Sequence, residues 1–422
     1  MVNNLLASNV WSVIGSVLLA ILILLVMITI HEFGHYIAGK IFHFTINEFS
    51  IGFGPAFFSH KNKKTEELFS VRLIPLGGYC AFAGEDGLEE EEEQEKEKTA
   101  DPFTEESVKE QAEAEKEPEK EVDRSGYFTN RPCWQRIIVL IAGALMNYLL
   151  ALVLIITCFF AYGQTMIAVY EADEATDQYI GFSLQDYDII LQVENKSIYL
   201  TADIAKALNG KEAGTIVSMK ISRAVNFEWH TDEEGNKTAK FEGREEQTVK
   251  VMLRSDVKVK NSADFDSAWK ALGVKYEESE SGSGYMIANA VYRFGFWETL
   301  GRSIMYSFKI AGSIFKILGE LLTGKLGISA VGGPVTTIKM TSQIVSRGFR
   351  YFLEIAGYIG VNLAVFNLLP IPALDGSKVI FTAIEWVRGK PISRKVEAII
   401  HAVGFVLLLG FAILVDILQF VI

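Results

Sequence analysis

The feature that most constrains this chain is a set of long apolar runs. Residues 8 to 30 run uncharged up to the pentapeptide "HEFGH". Residues 136 to 162 read "RIIVLIAGALMNYLLALVLIITCFFAY", and residues 397 to 422 read "EAIIHAVGFVLLLGFAILVDILQFVI". Each supplies the ~20 predominantly apolar residues that a helix needs to cross a hydrocarbon layer of ~30 Å. A fourth run, residues 352 to 372, is shorter and ends in prolines. Half of the 422 residues are hydrophobic, too many for an ordinary soluble protein. The first run carries no Lys or Arg ahead of it, and no small-residue cleavage pattern follows, so it reads as a retained helix and not a secretory signal. The expected fold class is a polytopic α-helical membrane protein with four transmembrane helices.

Charge gives the expected orientation. Residues 85 to 123 hold nineteen acidic and five basic residues, a local −14 against −12 for the whole chain, so the remainder carries +2. This Glu-rich segment lacks an apolar period and reads as a disordered, solvated loop. Nothing in the charge pattern calls for a nucleic-acid partner. Lys40, Lys61, Lys63, Lys64 and Arg72 follow the first run, Arg131 and Arg136 precede the second, and Arg388, Lys390, Arg394 and Lys395 precede the last. Residues 1 to 30, 163 to 195 and 396 to 422 contain no Lys or Arg. By the positive-inside rule the basic segments are cytoplasmic and both termini lie outside, with Arg347 and Arg350 running against the rule. Cys80, Cys133 and Cys158 show neither CxxC spacing nor an even count, which argues against a disulfide scaffold and a thiolate metal site.

Between the second and third runs, "DIILQVENKSI", "TIVSMKISR" and "QTVKVMLRS" alternate as strands do, with Thr215, Val217, Met219 and Ile221 on one face. "ADIAKALNG" reads as a short helix closed by Gly210. This is a small β-rich domain outside the membrane. On the inner side, "LFSVRLIPLGGYCAFAG" alternates until Pro75 and breaks at Gly77 and Gly78, which fit either a tight turn or the close approach of another backbone. Residues 296 to 323 are amphipathic. They fit a helix at the membrane surface with Lys309 and Lys316 snorkelling, or a packed helix.

The pentapeptide carries the chemistry. On a helix, His31 and His35 lie one turn apart on one face and can reach one metal ion, with Glu32 near the open coordination position. Charged groups within a membrane helix cost at least ~2.5 kcal/mol each on insertion scales, so three together imply a compensating partner. Zinc hydrolases usually use three protein ligands. No His stands six residues after His35, where Ile41 is found. His43 reads as a packing residue, His230 falls in the outer domain, and His401 is a weak candidate within the last run. Helix parity favours an acid instead. The first helix runs inward and ends near the histidines, the second returns, and the third runs inward to "NLLPIPALDGSK", which brings Asp375 to the same side. Glu354 and Asp416 read as interfacial, and Glu385 as facing the inner boundary.

Taken together, "HEFGH" and "FNLLPIPALDG" resemble the site-2 protease family of intramembrane zinc metalloproteases, in its bacterial RseP-like branch. "FSIGFGP", "IPLGGY", "AGALMN" and "GGPV" extend the likeness over most of the chain, with Ala144 standing where a Pro is common. The resemblance implies that His31, His35 and Asp375 bind Zn2+ and that Glu32 is the general base. It implies substrate contacts by Asn367 and by Arg72, Leu76, Gly77, Gly78 and Tyr79 of a membrane-associated β-loop. "SLQDYDIILQVENKSI" is similar to a PDZ segment, with Ser183, Tyr187 and Lys196 where glycines are common.

The implied division has several parts. Residues 1–84 hold the first transmembrane helix and β-loop, 85–126 the acidic cytoplasmic loop, and 127–162 the second helix. Residues 163–295 form the extracytoplasmic PDZ-like domain and 296–350 an amphipathic helical segment. Residues 351–384 hold the third helix with its "LDG", and 385–422 a cytoplasmic link and the fourth helix. The implied activity is hydrolysis of peptide bonds within single-span substrates in the bacterial inner membrane. Anti-sigma factors and remnant signal peptides are the expected partners beside the lipid bilayer, with the active site towards the cytoplasm. A membrane-anchored PDZ adaptor and a transporter are the rival readings. The first leaves an intact set of ligands and base unexplained, and the second needs paired charges on several helices.

Overall fold

The computed structural model describes residues 2–85, 124–174, 176–231, 237–279, 282–328 and 331–421. Most of the acidic loop therefore lies outside the described residues. In chain order the elements are helix α1 (Val2–Ile41), strands β1 (Ile46–Lys61) and β2 (Leu68–Phe82), and helix α2 (Cys133–Tyr162). Next come β3 (Gln164–Val169), β4 (Ile189–Val193), β5 (Lys196–Ser197), α3 (Thr201–Leu208), β6 (Ile216–Val225), β7 (Glu228–Thr231), β8 (Lys237–Lys240) and β9 (Gly243–Met252). They are followed by α4 (Asp266–Leu272), β10 (Tyr276–Ser279), β11 (Gly282–Tyr285), β12 (Ile287–Tyr292) and α5 (Phe296–Leu322). The chain ends with α6 (Pro334–Val345), α7 (Phe349–Asn367), α8 (Asp375–Arg388) and α9 (Arg394–Val421).

Four of these helices are long and apolar enough to cross a membrane: Ile14–Ile41 of α1, α2, α7, and Lys395–Gln419 of α9. They correspond to the four runs read from the sequence, with two differences. Helix α1 does not stop at "HEFGH" but continues six residues beyond His35, because "YIAGKI" holds no proline and the chain turns only at the left-handed His43. The third helix ends at Asn367, and residues 368–374 form a separate turn before α8. Pro370 and Pro372 supply no backbone N–H, and the residue before a proline is steered away from helical angles. Asp375 therefore opens a new helix.

Residues 1–151, 332–351 and 359–422 form one compact unit. Within it β1 and β2 fold as a doubled hairpin. Residues 48–51 lie between 78–81 on one side and 68–71 on the other, so that Ser50 faces both Tyr79 and Ser70. The far half of β1 returns along the other side of β2, with Ala56 opposite Arg72 and Lys61 opposite Leu68. This leaves residues 78–82 as a free edge. At the turn between the two halves of β2, Gly77 has φ +135°, where a Cβ would strike the ring of Phe53. The turn reading of this glycine is thus the one the structure bears out.

The same unit contains a polar joint between α6 and α9. Asp416, 8% exposed, accepts hydrogen bonds from Val335 N–H (2.9 Å), Thr336 N–H (3.0 Å) and the Thr336 hydroxyl (2.8 Å). The first N–H groups of a helix lack intrahelical acceptors, and a carboxylate there satisfies them and complements the helix dipole. Gly333 permits the approach, since a Cβ would overlap the carboxylate. Asp416, expected at an interface, is instead a cap supplied from another helix.

Residues 152–331, with 352–358, form the second unit. Its sheet runs β12-β3-β4-β6-β9 with β5 paired to β4. Val217, Met219 and Ile221 are fully buried on the face expected of them, together with Ile189, Ile190, Ile204, Leu208 and Leu272. Helix α3 is followed by Gly210 at φ +81°, as its sequence predicted. Helix α5 is fastened to this sheet by Arg302, 4% exposed, which donates to Gln164 Oε1 (2.7 Å) and to the Ile198 carbonyl. Lys309 reaches Asp203 at 2.7 Å and does not snorkel, so the packed-helix alternative describes this part of α5.

Removing the Asp416 carboxylate leaves two helix-initiating N–H groups without an acceptor. Asp416→Ala is expected to lower the unfolding temperature, and Asp416→Asn to lower it less. Thermal unfolding of the detergent-solubilised protein checks both.

Candidate active site

Two imidazoles and one carboxylate converge where α1, α2 and α8 meet. His31 Nε2 lies 2.9 Å from Asp375 Oδ2, His35 Nε2 lies 3.3 Å from the same oxygen, and the two Nε2 atoms are 3.2 Å apart. Among the described residues this is the one group of three such side chains with donor atoms close enough to share an ion. Four donors arranged tetrahedrally at ~2.0–2.1 Å from a zinc ion stand ~3.3 Å from one another. The observed separations match that spacing, and two His with one carboxylate is a catalytic donor set that keeps a fourth position open. The rings of His31 and His35 stand edge to face at 85°, as they must to aim both Nε2 atoms at one point from successive turns.

Each donor group is set by the element behind it. His35 Nδ1–H donates to the Val139 carbonyl of α2 at 2.8 Å, which puts the proton on Nδ1 and leaves the Nε2 lone pair for the site. Gly143, one turn further along α2, lies against the same ring, and a Cβ there would overlap His35 Nε2 and sit 2.8 Å from His31 Cε1. Gly34 plays the reciprocal part on α1, facing the Ala142 carbonyl. Asn367, the last residue of α7, brings its carboxamide 3.2 Å from His31 Nδ1. The nearer carboxamide atom is Nδ2; with the amide turned the other way, its oxygen would hold the Nδ1–H tautomer of His31 and free Nε2.

Helix α8 is anchored by two ion pairs. Arg136, 4% exposed, pairs with Glu385 and lies over the ring of Phe128, while Lys378 meets Glu85 at 2.6 Å. Glu385 was expected merely to face the inner boundary. Its pairing makes it part of the brace that fixes Asp375.

Glu32 lies beside the free edge of β2. The Cys80 amide acts on its carboxylate, and a Cβ on Gly78 would come within 3.3 Å of Glu32 Cγ and 2.8 Å of the Ser50 carbonyl. Gly78 is thus a close-approach glycine, the other of the two readings left open for this pair. Arg72 and Tyr79 are occupied within the hairpin. Arg72 Nε donates to Ser50 Oγ (3.0 Å), Nη1 to the Gly54 carbonyl (2.7 Å), and Nη2 to Glu48 (2.7 Å) and Tyr79 (2.8 Å). Tyr79 in turn donates to Glu48 at 2.6 Å. These two residues brace the loop. The side chain of Leu76 lies outside the described residues.

Of the residues singled out from the sequence, His31, Glu32, His35, Asn367, Gly78 and Asp375 come together here. His43 and His230 do not join them. Sequence reasoning missed Val139 and Gly143 as determinants of the histidines. Their i, i+4 spacing within "VLIAG" was visible, but nothing marked that stripe as facing another helix.

The profile of Peptidase family M50 matches residues 19–411, almost the whole chain. The chain belongs to peptidase family M50. A Clostridium perfringens protein named as a candidate zinc metalloprotease is 29% identical over 403 residues, covering 95% of this chain and 97% of its own. The Regulator of sigma-W protease RasP of Bacillus subtilis is 27% identical, covering 94% and 96%. Zinc metalloprotease RasP of Bacillus licheniformis is 26% identical with the same coverage. The M50 chain is thus a multi-pass membrane peptidase relative whose matched region includes all six residues of the site.

Two measurements test this geometry. Gly143→Ala is expected to displace the imidazoles and weaken divalent metal binding by at least about tenfold, as read by chelator competition. The Glu48 carboxyl is pushed up by burial but held below its ordinary 4.5 by Ser70, Tyr79 and Arg72. A depressed carboxyl stabilises fully above its ordinary value, and the contribution is lost as pH falls through the lowered one. Hydrogen-exchange protection of residues 46–82 should therefore hold from about pH 7 to 5 and drop below, a step absent in Glu48→Gln.

Proposed function

We propose that this protein is an intramembrane zinc metalloprotease that hydrolyses peptide bonds within the transmembrane segments of single-span proteins. The observation that carries the reading is the tetrahedral spacing of His31 Nε2, His35 Nε2 and Asp375 Oδ2, with Glu32 adjacent and a free strand edge beside it. The family membership and the printed names of the relatives support zinc as the metal.

When bound, zinc supplies an acidic water near neutral pH and a positive charge that polarises a carbonyl. The chain's own residues do the rest. Glu32 takes a proton from the attacking water as its oxygen bonds to the scissile carbonyl carbon, then passes it to the amine as the C–N bond breaks. Asp375 balances positive charge within an apolar surround. Asn367 orients His31 and presents its remaining amide hydrogens to the substrate. A helical substrate has its carbonyls tied in hydrogen bonds and must unwind before attack. Pairing with the edge formed by residues 78–82 replaces those bonds, which is strand addition.

The surrounding functions follow from the same reading. The active site opens towards the cytoplasm of a bacterial inner membrane, and the second unit, with its six-stranded sheet and short helices, acts as an extracytoplasmic PDZ-like filter. The substrates are remnants already trimmed outside, such as anti-sigma factors and cleaved signal peptides. The sigma-W regulator named in Bacillus subtilis supports the first class.

Purified protein and its Glu32→Gln and Asp375→Asn variants test this with a model transmembrane peptide and a zinc assay. Glu32→Gln should keep its zinc and lose cleavage by about 10²–10⁴-fold. Asp375→Asn should lose both. Equal cleavage by wild type and Glu32→Gln would overturn the mechanism.

A further inference from the structure

Asp375 is the ligand with the least local support. The histidines stand in mid-helix, whereas the carboxylate opens α8 after a turn in which Pro370 and Pro372 provide no N–H. The turn closes on itself through Ile371 N–H to the Leu369 carbonyl (2.7 Å) and Leu374 N–H to the Ile371 carbonyl (3.1 Å). Between these two, Ala373 sits at φ +76°, a left-handed conformation that a residue with a Cβ adopts at a cost and keeps only when its surroundings enforce it.

The enforcing contact comes from α9. The Ala373 N–H donates to His401 Nδ1 at 3.0 Å. An accepting Nδ1 carries no proton, so His401 is the Nε2–H tautomer. That Nε2 has no hydrogen-bond partner and its residue lines a cavity of about 760 Å³ among α2, α8 and α9. Glu397, at 3.9 Å, is too far to accept from it. One turn on, Gly404 lets the helix backbone close on Pro372, since a Cβ there would overlap the proline ring and lie 3.0 Å from its carbonyl. His401 and Gly404 thus grip two successive residues, Pro372 and Ala373, immediately before the ligand.

We propose that His401 is a positioning residue for the metal site: by accepting the Ala373 N–H it locks the left-handed turn that aims Asp375 at the two histidines. It is not itself a ligand. This rests on the reading of His31, His35 and Asp375 as a zinc site.

The test uses the full chain in detergent, with zinc affinity read by chelator competition and the turn read by hydrogen exchange at residues 371–374. His401→Phe keeps the ring and removes the acceptor, and is expected to lower zinc affinity about 10–100-fold and to speed exchange at Ala373. His401→Asn places an oxygen near the Nδ1 position and should recover most of both. Ala373→Gly takes the left-handed conformation freely, so adding it to His401→Phe should restore affinity to within about threefold of Ala373→Gly alone. Wild-type affinity in His401→Phe, an Asn variant no better than Phe, or no recovery with Ala373→Gly would each overturn the proposal. If His401→Phe fails to fold, His401→Leu takes its place: it should bind zinc more weakly than His401→Asn in the otherwise unchanged chain, and the difference should vanish in the Ala373→Gly background, the opposite of either result overturning the proposal. A wild-type protein that binds no zinc would instead overturn the metal-site reading itself.

Discussion

Three potential charges meet within 3.3 Å among helices built to sit in hydrocarbon, and the rest of this unit is arranged around that fact. A carboxylate taken out of water costs several kcal/mol unless it is paired and hydrogen-bonded. Two imidazoles offering lone pairs do not by themselves compensate it, whereas a divalent cation between all three does. Every constraint behind the ligands serves that convergence. Val139 fixes which nitrogen of His35 carries the proton, Gly143 and Gly34 let α1 and α2 close to backbone contact, and the Arg136–Glu385 pair holds α8 in place. A Cβ at Gly34 or Gly143 would collide with the facing helix, and loss of either partner would unpair Arg136 or Glu385, whereas the Val139 contact is a backbone carbonyl that side-chain exchange leaves in place.

A second demand is backbone accounting. Non-helical chain at membrane depth survives where its polar groups are satisfied by protein or face a cavity. The β1–β2 hairpin satisfies much of its own backbone by doubling back, so residues 48–51 are paired on both sides and Arg72 bonds the Gly54 carbonyl at the turn. Residues 78–82 and 56–61 are its two outer edges among the described residues, and the first of them lies next to Glu32. An unsatisfied strand edge is a liability elsewhere. Under the proposed function, the same edge is the complement to a substrate whose own hydrogen bonds must be broken before its carbonyl can be attacked.

Much of this was legible in the sequence, for definable reasons. Hydropathy marks spans because a bilayer admits few alternatives, and helix parity placed Asp375 beside His31 across 344 residues. Period-2 alternation gave the buried face of β6 correctly. What was not legible depends on partners rather than on local pattern. Asp416 reads as an interfacial acid until the α6 N-terminus is seen beside it, and Glu385 reads the same way until Arg136 appears. Glycines at 34 and 143 carry no periodic signal, because what they permit is the absence of a side chain at one contact. The extension of α1 past "HEFGH" was missed because charge was taken as the end of the helix, although helix formation is indifferent to it.

The last helix illustrates how little polarity is needed to organise an apolar scaffold. Most of α9 is exposed, with Val403, Phe405, Val406 and Leu407 each more than half accessible, as expected of a helix facing lipid. Yet two of its polar contacts fall at points where the rest of the unit departs from regular helix. Near its end Asp416 caps the start of α6, and towards its beginning His401 and Gly404 grip the turn between α7 and α8. In water such contacts would compete with solvent and contribute little, but in hydrocarbon the alternative to each is an unsatisfied group. A helix with a largely apolar, exposed surface therefore also acts as a splint, touching the turn that immediately precedes Asp375.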